Sequence, residues 1–157
     1  MSTDSLSMSV RHFVEQVGEK SPTPGGGSVA ALVGGLAVAL SRMVVVYTVG
    51  KPKYAEHEDR LKQVLDEFKS QSEIMGRLID EDISAYQQLA AYPRTNDPER
   101  RRGLLEKAIE VPMQIMAVAA TVVIRLDEIK TCTNPFLLSD LHGAAILASA
   151  AVRVAAL

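Results

Sequence analysis

One carboxylate stands out in this sequence as a group that could do chemistry. Asp82 falls on an apolar seam at helical spacing, so its side chain is expected to face the protein interior. An ionised carboxylate turned inward is costly unless it is paired or hydrogen-bonded. Asp82 is therefore either a structural buried polar group or part of a site that moves protons or stabilises positive charge, and the spacing alone favours neither.

The second feature is a glycine-rich loop, Ser21–Ser28, which runs directly into an apolar segment. Glycine lets a ligand approach the main chain closely, and Ser28 stands where the next helix would take a capping hydroxyl. An open helix start offers backbone N–H donors and the positive end of the helix dipole, which together suit an anion. We therefore expect a binding site at Gly25, Gly26, Gly27 and Ser28.

Two further polar residues lie near the start of the last helical segment. Asn134 precedes Pro135, which is the arrangement of a helix cap followed by proline at the first helical position. Asp140 follows within two turns, between apolar pairs. Stabilisation by the helix dipole is the more common reason for a carboxylate there, and a ligand contact is the alternative.

Five helical segments position these residues, and no stretch alternates like a strand, so we predict an all-α antiparallel bundle. The predicted segments are 5–19, 28–49, 54–92, 98–130 with Asn96 or Asp97 as its cap, and 134 onward. The seam of the third segment comprises Leu61, Leu65, Phe68, Ser72, Met75, Ile79, Asp82, Tyr86 and Leu89. Asp80 and Glu81 lie off this seam and are expected to be solvated.

Composition limits the class of protein. The chain has 157 residues, the size of one domain (1–157), with 47% hydrophobic residues and no Trp, which favours close helix packing. A net charge of −2 gives no indication of nucleic-acid binding. The single Cys132 excludes an internal disulfide, and the histidines lack metal-ligand spacing, so we expect no metal. The first residues lack the regions of a signal peptide, and we expect a cytoplasmic protein.

The apolar stretch Val29–Val49 is nearly long enough to span a bilayer. Arg42 lies inside it, and a charge at that depth costs about 3 kcal/mol or more. Its small residues would also permit close helix contact in water. We therefore expect no membrane span, and a helix buried on nearly all sides, partly by a second subunit.

Two other motifs are weak. Gly25–Ala30 fits a loose dinucleotide-binding pattern, but no strand precedes it, and no Lys-Ser or Lys-Thr pair follows the glycines. The run Arg100–Arg102 is most simply a solvated helix start, although it could meet an anionic ligand.

Taken together, the motifs resemble those of the cyclodeaminase/cyclohydrolase family of folate enzymes. The resemblance extends from about residue 5 to the end of the chain. It rests on the segments Thr23–Ala31, Gly50–Tyr54, Asp82–Tyr86, Glu110–Pro112, and Asn134–Pro135 with Ser139–Asp140, which occur in the family's order.

This resemblance implies an all-helical homodimer that acts on the one-carbon bridge of tetrahydrofolate without a metal or redox cofactor. The expected reaction is hydrolysis of methenyltetrahydrofolate to formyltetrahydrofolate, because the chain stands alone. The alternatives are a cyclodeaminase that releases ammonia from formiminotetrahydrofolate, and a folate-binding or oligomerisation module without turnover.

The resemblance also suggests roles for the candidate residues. Asp82 would exchange a proton or stabilise the cationic bridge. The glycine loop with Ser28 would hold a pterin oxygen or a carboxylate. Lys51 and Lys53 would attract the glutamate tail, and Asn134 with Asp140 would bind the pterin edge.

Two departures from the family pattern stand out. Pro52 occupies a position that is commonly Lys, which weakens a binding role for its loop. Family members usually continue past the position matching Leu157, so we expect a C-terminus that is short for the family.

Overall fold

The structure is a computed structural model that describes residues 5–93 and 97–157. Within these ranges the regular structure is entirely helical, which confirms the all-α prediction. The five α-helices are α1 (Val10–Val17), α2 (Gly26–Val46), α3 (Glu58–Ala91), α4 (Pro98–Ile129) and α5 (Leu138–Ala155), and short 3-10 turns cover Ser5–Ser7, Pro52–His57 and Pro135–Leu137.

The helix boundaries follow local capping chemistry. The Asp97 side chain accepts from the backbone N–H groups of Glu99 and Arg100 at the start of α4, as predicted; the alternative cap, Asn96, lies outside the described residues. α3 begins at Glu58 rather than Tyr54, because Pro52–His57 forms a 3-10 turn first. α1 is shorter than predicted and begins after the cap Ser9.

Helices α2 to α5 form an antiparallel bundle. Ser28 near the start of α2 contacts Asp82 in the C-terminal third of α3, so these two helices run in opposite directions. A side chain built at Gly143 of α5 would lie 3.6 Å from Leu40, late in α2, so α5 is also antiparallel to α2.

Small residues let the core helices approach closely. A Cβ atom at Gly34 would lie 2.7 Å from Cε of Met75 on α3 and 3.6 Å from Cβ of Ala151 on α5. The neighbouring Ala31 and Ala37 are fully buried. Three helices therefore meet at this point of α2, where glycine leaves room for the Met75 thioether.

The buried face of α3 includes much of the predicted seam and is wider than it: the seam residues Leu61, Phe68, Met75 and Ile79 are buried. Val64, Leu78 and Ala85 are buried, although none of them is on the seam. Tyr86, a predicted seam member, is instead 47% exposed. The buried stripe is wider than one seam because α3 packs against α2 on one side and α4 on the other, whereas Tyr86 lies near the C-terminal end of the helix.

The carboxylate of Asp80 is also not solvated as predicted. It accepts hydrogen bonds from the backbone N–H (3.2 Å) and the hydroxyl of Ser5, and so ties the first 3-10 turn to α3. Glu81 pairs with Arg77 at 3.1 Å.

An ionic cluster joins the start of α3 to the end of α4. Arg60 donates to both carboxylate oxygens of Glu128, and Arg125 Nε lies 2.5 Å from Glu67 Oε2. The hydrogen bond from Arg60 holds the pKa of Glu128 below its usual range. These ion pairs set how the two antiparallel helices are aligned. They contribute little to the stability of the fold, because each side chain is about one-third exposed.

Three helical segments in the described part of the chain are long and apolar enough to span a membrane by length and composition: Gly26–Val46, Pro98–Ile129 and Pro135–Ala155. Each keeps apolar side chains at the surface of the single chain, including Leu36 (54% exposed), Met113 (61%) and Ile146 (69%). The predicted burial of the second helix on nearly all sides therefore does not occur within one chain.

Candidate active site

The structure brings together three of the candidate residues. The Ser28 hydroxyl is fully buried and donates to Oδ2 of Asp82 at 2.6 Å. Gly27 packs directly against the same carboxyl group: a Cβ atom there would lie 2.6 Å from Asp82 Cγ, and closer still to Oδ1. Asp82 itself is half-buried. The inward carboxylate and the glycine loop, separate features in the sequence, thus form one cluster.

The start of α2 differs from the expected cap. The helix begins at Gly26, and its N-cap is Gly25, which makes no side-chain hydrogen bond. Ser28 is the third helical residue, and its hydroxyl donates to Asp82 instead of accepting from the backbone. The prediction of Ser28 as the cap was therefore wrong, because glycines 26 and 27 extend the helix backwards into the loop.

The Asp82 carboxylate has one fixed and one available oxygen. Oδ2 accepts from Ser28, whereas Oδ1 has no hydrogen-bond partner among residues 5–93 and 97–157. The group lies beside the first turn of α2, at the positive end of the helix dipole. A carboxylate held in this way can accept a proton from water or stabilise a cation placed against Oδ1.

The loop before α2 is attached to α3 beyond Asp82. Gln87 Nε2 donates to the Thr23 hydroxyl at 3.1 Å, and the buried Pro24 follows. The Ser21 hydroxyl donates to the Thr23 carbonyl at 2.8 Å, which closes the loop on itself. Gln87 was not predicted as a site residue, because its position relative to the apolar residues of α3 is that of an ordinary exposed residue.

The other candidate residues lie where α2 ends. The backbone N–H of Asn134 donates to the Thr48 hydroxyl at 3.2 Å, and the Asn134 side chain accepts from the N–H of Phe136. Asn134 is therefore a cap as predicted, but of the 3-10 turn Pro135–Leu137, and α5 begins after this turn, at Leu138. Lys51 and Lys53 are exposed. Asp140 is half-buried in the first turn of α5.

These two groups are far apart in one chain. Thr48 follows Ser28 by twenty residues, which corresponds to about 30 Å along a helix. Asn134, bonded to Thr48, therefore lies at the opposite end of the bundle from Asp82. One chain does not bring Lys51, Lys53, Asn134 or Asp140 to Asp82.

Two cavities lie along the predicted seam of α3, one lined by seam residues before Asp82 and the other by seam residues after it. One has a volume of about 190 Å³ and includes Ser72, Met75 and Ile79 in its lining, with apolar residues of α2. The other, about 390 Å³, includes Tyr86 and Leu89, with Tyr92 and Arg101. The seam that the sequence predicted thus contains buried residues and also residues that line these two cavities.

The described residues include no group of three or more His, Cys, Asp or Glu side chains arranged to hold a metal ion. Cys132 is half-buried and donates to the carbonyl of Ile129. Burial raises the pKa of its thiol, so this side chain has the character of a packing residue and not of a nucleophile.

Comparison with known proteins gives consistent results. The model of the formiminotransferase-cyclodeaminase family matches residues 9–157. Among solved structures, formiminotetrahydrofolate cyclodeaminase from Thermotoga maritima has a similar fold with a TM-score of 0.90 at 28% identity, over 96% of this chain and 75% of that chain.

Two curated relatives are each 32% identical to the chain. One is methenyltetrahydrofolate cyclohydrolase from Methylorubrum extorquens, aligned over 94% of this chain and 76% of its own length. The other is formimidoyltransferase-cyclodeaminase from Mus musculus, aligned over 89% of this chain. The chain spans only 28% of the length of the mouse protein.

Proposed function

Because the chain belongs to the formiminotransferase-cyclodeaminase family, we propose that it hydrolyses 5,10-methenyltetrahydrofolate to 10-formyltetrahydrofolate at Asp82. The observation that supports this reaction is the carboxylate held by Ser28 with its second oxygen available. We also propose that the enzyme is cytoplasmic and acts without a bound metal or redox cofactor.

In the proposed reaction Asp82 acts first on water. Its free oxygen accepts a proton as the water oxygen bonds to the methenyl carbon, which becomes tetrahedral between the two folate nitrogens. The bond from that carbon to N5 then breaks as N5 takes the proton held by Asp82, the hydroxyl loses its proton to solvent and becomes the carbonyl, and the formyl group remains on N10. Before the attack, the negative charge of the carboxylate stabilises the cationic methenyl bridge.

The second candidate is formiminotetrahydrofolate cyclodeaminase, because the Thermotoga neighbour carries that name. Here N10 attacks the formimino carbon, the same tetrahedral arrangement forms, and protonated nitrogen leaves as ammonia. Chain length does not separate the two reactions: this chain spans 76% of the relative named as a cyclohydrolase and 75% of the one named as a cyclodeaminase.

We expect the purified chain to accelerate the decay of methenyltetrahydrofolate absorbance well above a buffer blank. In a parallel assay, formiminotetrahydrofolate is supplied and released ammonia is measured. If formiminotetrahydrofolate is turned over faster than methenyltetrahydrofolate, the cyclodeaminase reaction takes the place of hydrolysis as the proposed function. Folate binding without either product would favour the third alternative, a module that binds folate and has lost turnover.

We further propose that the active form is a homodimer in which two copies lie antiparallel. Two observations support this arrangement: the apolar side chains left exposed on α2, α4 and α5, and the separation of the candidate residues to opposite ends of the bundle. In an antiparallel pair, the Asp140 end of one copy lies beside the Asp82 end of the other.

Complementation tests the dimer. We expect Asp82→Asn and Asp140→Asn each to be nearly inactive alone, whereas an equal mixture that is unfolded and refolded together should regain about a quarter of wild-type activity, since half the dimers then contain one intact site. The control is Asp127→Asn, an exposed carboxylate at the Asp140 end that pairs with Lys130. No recovery in the mixture, or a monomer in sedimentation equilibrium, would contradict the proposal.

A further inference from the structure

The larger of the two cavities along the α3 seam has polar side chains in its wall. It measures about 390 Å³ and lies between the end of α3 and the start of α4. Tyr86 lines it one turn after Asp82, about 6 Å further along the helix axis. Arg101 and Tyr92 form its far side. The cavity therefore begins about one helical turn from Asp82 and extends toward the end of α3.

Two guanidinium groups near Tyr92 lack a carboxylate partner in the described part of the chain, and one of them, Arg101, lines the cavity. Arg101 donates to the Tyr92 carbonyl at 3.1 Å, and the Arg100 guanidinium lies 5.6 Å from the centre of the Tyr92 ring. Both contacts orient the arginines and leave most of their N–H donors available. The adjacent Arg102 is different, because it is already paired with Glu106 at 2.8 Å.

We propose that Arg100 and Arg101 bind the glutamate carboxylates of the folate substrate while its one-carbon unit lies at Asp82. This inference rests on the proposed function. A guanidinium fork matches a carboxylate in two parallel hydrogen bonds, and two arginines match the two carboxylates of a glutamate.

The length of the ligand fits the spacing along α3. A folate joins its one-carbon unit to glutamate through a benzoyl ring and an amide. Tyr92 follows Asp82 by ten residues, about 15 Å along the helix. Tyr86 and Leu89 lie between them on the cavity wall and offer aromatic and apolar surface to the benzoyl ring. The tail is thus held in the same chain as Asp82, and Lys51 and Lys53 are not needed for it.

The test compares two ligands that differ only in the glutamate. Dissociation constants are measured by calorimetry for 5-formyltetrahydrofolate and for 5-formyltetrahydropteroate, which lacks glutamate. We expect the wild-type protein to bind the first about tenfold more tightly. Arg101→Gln and Arg100→Gln should each reduce this ratio to near one, Arg101→Lys should restore part of it, and the control Arg102→Gln should keep it. Thermal unfolding of each variant shows that the fold is retained.

Each outcome has a defined consequence. If the wild-type protein distinguishes the two ligands and the Arg100 and Arg101 variants still do, these arginines do not bind the tail, while the proposed function is unaffected. If the wild-type protein binds both ligands equally, the glutamate site is likewise excluded. If it binds neither, the proposed function fails, and the glutamate site fails with it.

Discussion

Asp82→Asn is expected to lower kcat by about 10²–10⁴-fold, the range for loss of a positioned acid or base. The substitution keeps the shape of the side chain, and the Ser28 hydroxyl can still donate to the amide oxygen of Asn. The stability of the protein should therefore change by less than about 1 kcal/mol. What is lost is the negative charge and the ability to accept a proton.

The matched control is Asp80→Asn, two residues earlier on α3. That carboxylate bonds to Ser5, whereas the Ser28 hydroxyl bonds to Asp82. Asp80→Asn should weaken the attachment of the first 3-10 turn and leave kcat near the wild-type value. Steady-state kinetics with methenyltetrahydrofolate and thermal unfolding of both variants separate the two effects. Turnover that is unchanged in Asp82→Asn would remove Asp82 from the mechanism.

Gly27→Ala is expected to lower kcat about 10²-fold without unfolding the protein, because displacement of a reacting group by about 1 Å has an effect of this size. The new methyl group would occupy the position of the Asp82 carboxyl group. The Asp82 side chain is short and can rotate away, so the fold is retained, but its hydrogen bond to Ser28 is lost. Alanine is also the better helix former, which offsets part of the cost.

Gly26→Ala provides the control for this variant. It is also in the first turn of α2, but a Cβ atom there would have no heavy atom within 4 Å. Gly26→Ala should therefore keep full activity and be as stable as the wild type or slightly more so. Equal losses of activity in both variants would show that flexibility of the loop, and not the space for Asp82, is what the glycines provide.

A double variant links the two predictions. If Gly27→Ala acts by displacing the carboxylate, adding it to Asp82→Asn should cost little further activity, because the same group is already disabled. Additive losses would mean that Gly27 contributes through a separate contact with the substrate. The kcat of the four proteins in this cycle is the measurement.

Some elements of the fold could be predicted from local chemistry. The caps Asp97 and Asn134 bond to backbone groups only two or three residues away, so the residues that decide them are neighbours in the sequence. The helices themselves follow from apolar spacing. Gly50 adopts φ +79°, a backbone conformation that other residues rarely take. It is the last residue of the turn that follows α2.

Other features could not be read from local sequence because they depend on packing between distant segments. Gln71 is an example: it lies on the buried face of α3, and its Oε1 has no hydrogen-bond partner among the described residues, although its spacing resembles that of a surface residue. The width of the buried stripe of α3 depends on where α2 and α4 lie, and spacing along α3 contains no information about this.

The sequence by itself determined the helical class, the inward direction of Asp82 and the motifs that place the chain in its family, because each depends on periodicity or on residues close together. Only the tertiary structure decided what these residues do to one another. Antiparallel packing puts Ser28 against Asp82, 54 positions later in the sequence, so that the serine holds a carboxylate instead of capping a helix. The same packing places Asn134 at the far end of the bundle from Asp82. Asn134 bonds to Thr48 just after α2, and the rise per residue of that helix keeps its two ends far apart.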